Sequence, residues 1–344
     1  MVRTILNTVG TSLVRNASPS GSPDVAELIR FLALTDLRKA SAETNALCHL
    51  LREDDALVFL HSETPESHLC ARALAEFFKN RGHETRMVCV RDLSYREADF
   101  RLGLRALVGT LVACIKEEQA RGREVLINAT GGFKAEGAYA TLVGLLFNVP
   151  VYYIYEAFQR VVQMPPLPID WDYSVIAEHE DLLHSLSGEG RSRFELVRST
   201  LPKEISSLLE ERENRIFLSP AGVAVFEAYL EKVRRTPKIP VYFGKRALEW
   251  YQKANATTQE RIRRILRRLC LPEVRRSGAK KLKNSRCFVY PQGHQNERVL
   301  FCEKDEGLIV CALAQHSDRS YDRLFDEGLS CEKRGKLVPF EEDF

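Results

Sequence analysis

Two short loops in the first half of the chain combine glycine, hydroxyls and lysine in the order a phosphate site needs. They are Asn7-Thr8-Val9-Gly10-Thr11-Ser12 and Asn128-Ala129-Thr130-Gly131-Gly132-Phe133-Lys134-Ala135-Glu136. Gly10 permits a tight turn, and two hydroxyls, Thr11 and Ser12, stand where the next element should begin. Gly131 and Gly132 make a turn that bares backbone N–H groups and leads into a helix whose N-terminal dipole favours anions, with Lys134 in its first turn. The same residues also suit a plain strand-to-helix turn with Lys134 in solvent, since neither a Walker A sequence nor Gly-x-Gly-x-x-Gly is present.

The last hundred residues hold a second group with chemistry in it. Lys280-Lys281-Leu282-Lys283-Asn284-Ser285-Arg286 leads into an expected strand, Arg298 begins the next, and His316, Arg319 and Tyr321 follow a third. Brought together on one concave face of a small sheet, such residues suit RNA cleavage by attack of a 2′-hydroxyl on the adjacent phosphate. Lys and Arg stabilise charge on the phosphorane, and a His or Tyr moves protons. Taken singly they are ordinary: Arg298 a strand-end charge paired with Glu297 or Glu303, His316 a helix cap. A zinc site from Cys311, His316 and His294 fits no recognised finger spacing, so no metal is expected.

The elements that must position the first group alternate strand and helix, the pattern of a parallel sheet covered by crossover helices. Strands are expected at Thr4–Val9, Ala56–His61, Thr85–Val90, Glu124–Asn128 and Val151–Tyr155, with helices at Pro23–Leu34, Ser41–Arg52, Pro65–Arg81, Asp99–Gln119 and Ala135–Phe147. Both glycine loops then follow strands, at the carboxyl end of the sheet where ligands of such folds sit. The proline-rich stretch at 165–168 closes this domain near residue 170. Residues 171–237 read as a helical connector, with helices over Arg193–Glu213 and Ala221–Val233, the latter started by Ser219 and Pro220. Residues 238–344 read as a small α+β domain: helices at Lys245–Ala254 and Thr258–Cys270, then an antiparallel meander at Arg286–Tyr290, Arg298–Glu303 and Leu308–Ala314.

Composition bounds the function. A chain of 344 residues with 44% hydrophobic content is long enough for two or three domains with cores of their own. No apolar run approaches the roughly 18 residues of a membrane span, and the opening residues run into a strand pattern rather than a signal peptide, so a cytoplasmic protein is expected. The nine cysteines are scattered, with no Cys-x-x-Cys pair, and are expected to be reduced and mostly buried. The net charge of +3 conceals an asymmetry: from Arg234 to Arg286 there are 17 Lys or Arg against three acids, leaving the rest of the chain at −11. Such a block is either a polyanion-binding face or a solvated basic helix.

The pairing of Gly10-Thr11-Ser12 with Thr130-Gly131-Gly132-Phe133-Lys134-Ala135-Glu136 resembles the CRISPR-associated Rossmann fold (CARF) family, over roughly residues 1–165. The resemblance implies a homodimer that binds a cyclic oligoadenylate, with Gly10, Thr11, Ser12, Gly131, Gly132 and Lys134 at the ligand and Asn7 and Asn128 nearby. Some members cleave that ligand slowly through the hydroxyl and lysine positions matching Thr11 or Ser12 and Lys134. Residues 238–330 resemble the RelE family of mRNA interferases, which assigns Lys281, Lys283, Arg298, His316, Arg319 and Tyr321 to the active site. There Arg298 carries transition-state charge, His316 transfers protons, and Tyr321 stacks on a base or transfers protons; the strand Cys287–Tyr290 lacks lysines that some members carry. Some relatives of that fold act on gyrase instead. Joined, the two ends resemble the CRISPR-Cas-associated mRNA interferases, implying a CARF sensor, a helical connector and a small α+β RelE-like domain. The implied activator is cyclic tetra-adenylate and the implied partners are the ribosome, its mRNA and the ribosomal stalk. A second function class is a CARF-fused winged-helix transcription regulator: Phe217–Val223 followed by a helix resembles such a module, and the stripe Arg261, Arg263, Arg264, Arg267 and Arg268 has the form of a DNA-recognition helix.

Overall fold

Apolar runs without polar alternation, such as Leu57-Val58-Phe59-Leu60, suit strands covered on both faces. They form the centre of a six-stranded sheet in a computed structural model of the chain. The structure describes every residue other than 1, 19–20, 22, 94–96, 156–159, 189–190, 193–200, 284, 294, 306 and 318–336. It divides into two compact units, one of residues 1–169, 186–201 and 206–228, the other of residues 170–185, 202–205 and 229–344.

In the first unit β1 (Arg3–Val9), β2 (Ala56–Ser62), β3 (Thr85–Val90), β4 (Glu124–Asn128) and β5 (Val151–Tyr153) run parallel, and β6 (Val162–Met164) adds an antiparallel edge. The order is β3-β2-β1-β4-β5-β6, a Rossmann-like α/β arrangement. Its helices are α1 (Ser12–Ala17), α2 (Val25–Leu34), α3 (Leu37–Ala40), α4 (Ala42–Leu50), α5 (Pro65–Lys79), α6 (Glu97–Ala120) and α7 (Lys134–Phe147). All seven residues of β1 and of β2 are buried. The core joins Ile5, Leu57, Phe59, Leu126 and the α5 side chains Leu74, Phe77 and Phe78. Sequence patterning places these five strands and the five long helices to within two residues. It misses α1 and α3, too short for a period to show, and β6, an exposed three-residue strand on the sheet's edge.

The stretch expected to be a helical connector is shared between the two units. It contains α8 (Ser174–Glu178), α9 (Glu180–Leu186), α10 (Lys203–Ser206), α11 (Pro220–Arg235) and a small sheet of β7 (Arg191–Ser192), β8 (Leu209–Arg212) and β9 (Arg215–Leu218) in the order β7-β9-β8. The expected helix over Arg193–Glu213 is therefore corrected where it is described. Glu213 and Asn214 adopt positive φ, a two-residue turn that reverses the chain into a hairpin. Ser219 does start α11, its hydroxyl accepting from the Gly222 N–H at 3.1 Å.

The second unit carries β10 (Val241–Phe243), α12 (Lys245–Lys253), α13 (Ala256–Leu269), one π turn at Val274–Gly278, then β11 (Lys280–Lys281), β12 (Phe288–Tyr290), β13 (Glu297–Lys304), β14 (Gly307–Gln315) and β15 (Val338–Pro339). The expected meander is β12-β13-β14, antiparallel throughout. The sheet extends it to β11-β12-β13-β14-β10-β15, with β10 parallel to β14.

Candidate functional site

The sheet order of the first unit reverses between β1 and β4: the chain builds outward through β2 and β3 on one side and β5 on the other. At such a reversal the loops leaving the two strands part to either face and open a crevice at their carboxyl ends. The loops there are those singled out in the sequence. Gly10 follows β1 so closely against the other loop that a Cβ on it would stand 2.9 Å from the Gly132 N. A Cβ on Gly131 would lie 2.3 Å from the Thr8 carbonyl oxygen, and Gly132 sits at φ +87°. Only glycine lets two backbones pass this closely, or holds that φ without strain.

The second loop opens directly onto α7. Phe133 precedes the helix and provides no side-chain cap, so first-turn N–H groups and the helix dipole face the loop. Lys134 is exposed in the first turn. A helix start without a side-chain cap, its positive dipole end and a lysine together form an anion cradle.

Two carboxylates missed by sequence reasoning lie beneath it. Glu43, from α4, is fully buried; its Oε1 accepts the Gly10 N–H at 2.7 Å, and its Oε2 is buried with no hydrogen-bond partner. Glu136, in the first turn of α7, is 4% exposed. Burial pushes its carboxyl up to about 7, opposed by a hydrogen bond from the Phe133 backbone and reinforced by the Glu43 charge. Glu136 stands in the quoted motif, whereas nothing in the sequence around Glu43 points to Gly10.

The remaining expected ligand residues separate by environment. Asn7 and Asn128 are fully buried. Asn128 Nδ2 donates to Asn7 Oδ1 at 2.9 Å, Asn7 Nδ2 donates to the Ile5 and Val58 carbonyls, and Asn128 Oδ1 accepts the Thr130 N–H at 3.3 Å. They brace β1, β2 and β4 and set the turn, with both side chains engaged within the protein. The Ser12 hydroxyl accepts the Ala42 N–H at 3.1 Å and so pins the start of α4. Thr11 is half-buried, and its hydroxyl caps nothing in α1.

In the second unit the basic stripe of α13 is consumed by intramolecular partners. Arg261 pairs with Glu297, Arg263 with Glu260 and Glu342, and Arg264 with Asp181 and Glu260. Arg267 donates to the Val233 and Thr236 carbonyls. Arg268, 2% exposed, is held by Glu180 and Asp181. Its guanidinium is raised further above its usual range, burial working against it and the Glu180 charge for it. Arg261 and Arg264 remain half exposed in surface ion pairs, whereas Arg268 is buried.

Arg276, Lys280, Lys281, Lys283 and Arg286 differ: all are exposed, and none pairs with a described acid. They form the basic edge of the sheet. Arg298 is 1% exposed, its guanidinium donating to the Gln295, Glu297 and Gly293 carbonyls. It holds its own loop, and reaching a phosphate would require exchanging those bonds. His316 is exposed just beyond β14, its N–H donating to the Asn296 carbonyl at 2.7 Å. Arg319 and Tyr321 lie outside the described residues.

Register separates Lys281 and Lys283 from His316, while Arg298, paired with Ala314, stays at the His316 end of the sheet. Lys281 pairs with Phe288, which pairs with Phe301, whereas His316 lies opposite Asn296, one step beyond the Glu297–Gln315 pair. Five residues along the strands and three strand spacings across them separate Lys281 from His316 by about 17 Å and about 14 Å. The hairpin into β12 carries Lys283 farther from His316 still.

Among solved structures, the chain is similar to protein VC1899 from Vibrio cholerae, at 9% identity and TM-score 0.27, covering 91% of this chain and 77% of that one. It is also similar to Can2 from Sulfobacillus thermosulfidooxidans, solved in complex with cyclic tetra-adenylate, at 10% identity and TM-score 0.27, covering 94% and 84%. Residues 38–167, which hold Glu43, Gly131, Gly132 and Lys134, match the model of a family described as CRISPR-associated protein (Cas_APE2256).

Proposed function

We propose that the first unit binds a cyclic oligoadenylate, cyclic tetra-adenylate in particular, as a homodimer, and that the ligand switches on RNA cleavage by the second unit. The protein then acts in CRISPR defence as a ribosome-dependent mRNA endoribonuclease. The observation that carries the reading is the backbone crossing of Gly10 and Gly132 at the sheet's reversal, opening onto the uncapped start of α7 with Lys134 beside it. A cyclic oligoadenylate offers a ring of phosphates to N–H groups and lysine. The match of residues 38–167 to a CRISPR-associated family supports the setting.

In the second unit the exposed cations from Arg276 to Arg286 bind the RNA backbone at a distance from the cut, because register keeps them away from His316. His316 transfers the proton as a 2′-hydroxyl attacks the adjacent phosphorus and the 5′-oxygen leaves. Arg319 and Tyr321 are the remaining candidates for stabilising charge and for stacking on a base. Thr11, whose hydroxyl α1 does not use, and Lys134 are the residues through which the first unit slowly degrades its ligand.

Calorimetric titration of the full chain with cyclic tetra-adenylate tests the sensor directly. Saturable binding is expected, weakened by about tenfold or more in Lys134→Ala through loss of a charge-assisted contact. Binding that Lys134→Ala leaves unchanged would remove the cradle from the account.

A further inference from the structure

Three cysteines of the second unit meet on one face of its sheet. Cys287, immediately before β12, lies opposite Cys302 on β13 with Cα atoms 4.4 Å apart, and the two are joined as a disulfide. Cys311, on β14, places its Sγ 3.6 Å from both of their sulfurs. That third sulfur owes its position to an irregularity. Leu300 pairs with Ala312 but Phe301 pairs with Val310, so Cys311 is an extra residue in a β-bulge. In an uninterrupted ladder Cys311 would alternate to the face opposite Ala312. The bulge turns it onto the face of Cys287, Leu300 and Ala312, with which it packs. A disulfide needs two sulfurs, and here the strand departs from regular pairing to bring in a third.

We propose that the reduced form of this cluster binds one soft, thiophilic cation of the zinc and copper(I) class through Cys287, Cys302 and Cys311. All three sulfurs lie within 4.8 Å of one another. Metal–sulfur bonds of about 2.3 Å put ligand sulfurs roughly 4 Å apart, so small side-chain adjustments suffice. Thiolate donors select such ions over hard cations. Cys287 and Cys311 are buried and Cys302 is half-buried, which leaves solvent a path to a fourth position, as in sites with three protein ligands and an open place. The basic run ending at Arg286, next to Cys287, offsets the negative charge of the thiolates. A bound ion would clasp β12, β13 and β14 at the base of the hairpin that carries Lys281, Lys283 and Arg286, coupling the set of the basic edge to metal supply.

The test uses the full chain, reduced with a phosphine under anaerobic conditions and titrated with Cd2+ while sulfur-to-metal charge-transfer absorption is followed. One Cd2+ per chain is expected, with Cys311→Ser weakening uptake by more than about tenfold, since even indirect changes around metal ligands cost that much. Cys48→Ser and Cys89→Ser, at exposed cysteines away from the cluster, should leave it unchanged. Circular dichroism checks folding, and if Cys311→Ser fails to fold, half-buried Cys302→Ser is read in its place. No stoichiometric uptake by the reduced chain, or uptake that the cluster variant leaves intact, would overturn the proposal and leave a cross-strand disulfide with a packed third thiol.

Discussion

Glu136 makes the stability of the first unit depend on pH in a direction opposite to most carboxylates. Its carboxyl is pushed from an ordinary 4.5 up to about 7 by burial against the Gly132 turn. Between those values the folded chain holds a proton that the unfolded chain has released, so stability falls as pH rises from about 4.5 to about 7 and is flat beyond. The gap corresponds to about 3 kcal/mol lost at pH 8 relative to pH 4.5. Glu136→Gln keeps an oxygen to accept the Phe133 N–H and has nothing to ionise. It is therefore expected to match the parent near pH 4.5 and to exceed it by up to about 3 kcal/mol at pH 8. Hydrogen exchange of the β1 and β4 amides in the full chain, corrected for the intrinsic pH dependence of exchange, reads this difference locally. A gap between variant and parent that stays constant from pH 4.5 to 8, or a variant less stable at pH 8, would refute the account of a neutral buried Glu136.

Ser12→Ala should lower stability by about 1–3 kcal/mol by leaving the Ala42 N–H unpaired, with ligand affinity in calorimetry little changed, whereas Thr11→Ala should spare stability and slow turnover of the cyclic ligand. The double change Lys281→Ala with Lys283→Ala should reduce the salt dependence of RNA binding, the log–log slope shrinking by about 1.4, while Arg264→Ala, whose charge already faces Asp181 and Glu260, should leave it unaltered in the same filter-binding assay.

Much of the first unit was legible because its signals are local. Apolar runs and helix periods mark its elements, and glycines mark the two places where backbones cross. Glu43 was not, because its bond to the Gly10 N–H joins residues 33 apart and depends on how α4 packs. The basic block shows the limit of charge counting. Composition displays the arginines of α13, while their partners Asp181, Glu297 and Glu342 arrive from distant elements. Register decides the rest: the meander was visible in its strands, yet the pairing that separates Lys281 from His316 is absent from any one strand's residues. The cysteine cluster escaped notice for the same reason. Cys287 and Cys302 are 15 residues apart, and their meeting is a matter of strand register rather than of spacing.

Ligand-gated cutting is measured most directly by mRNA cleavage in a reconstituted translation system, with and without cyclic tetra-adenylate, for the parent chain and for Lys134→Ala. Cleavage by the parent only when the cyclic ligand and ribosomes are both present, and its loss in Lys134→Ala, is the predicted result. Equal cleavage with and without the ligand, or none with any cyclic oligoadenylate, would contradict it.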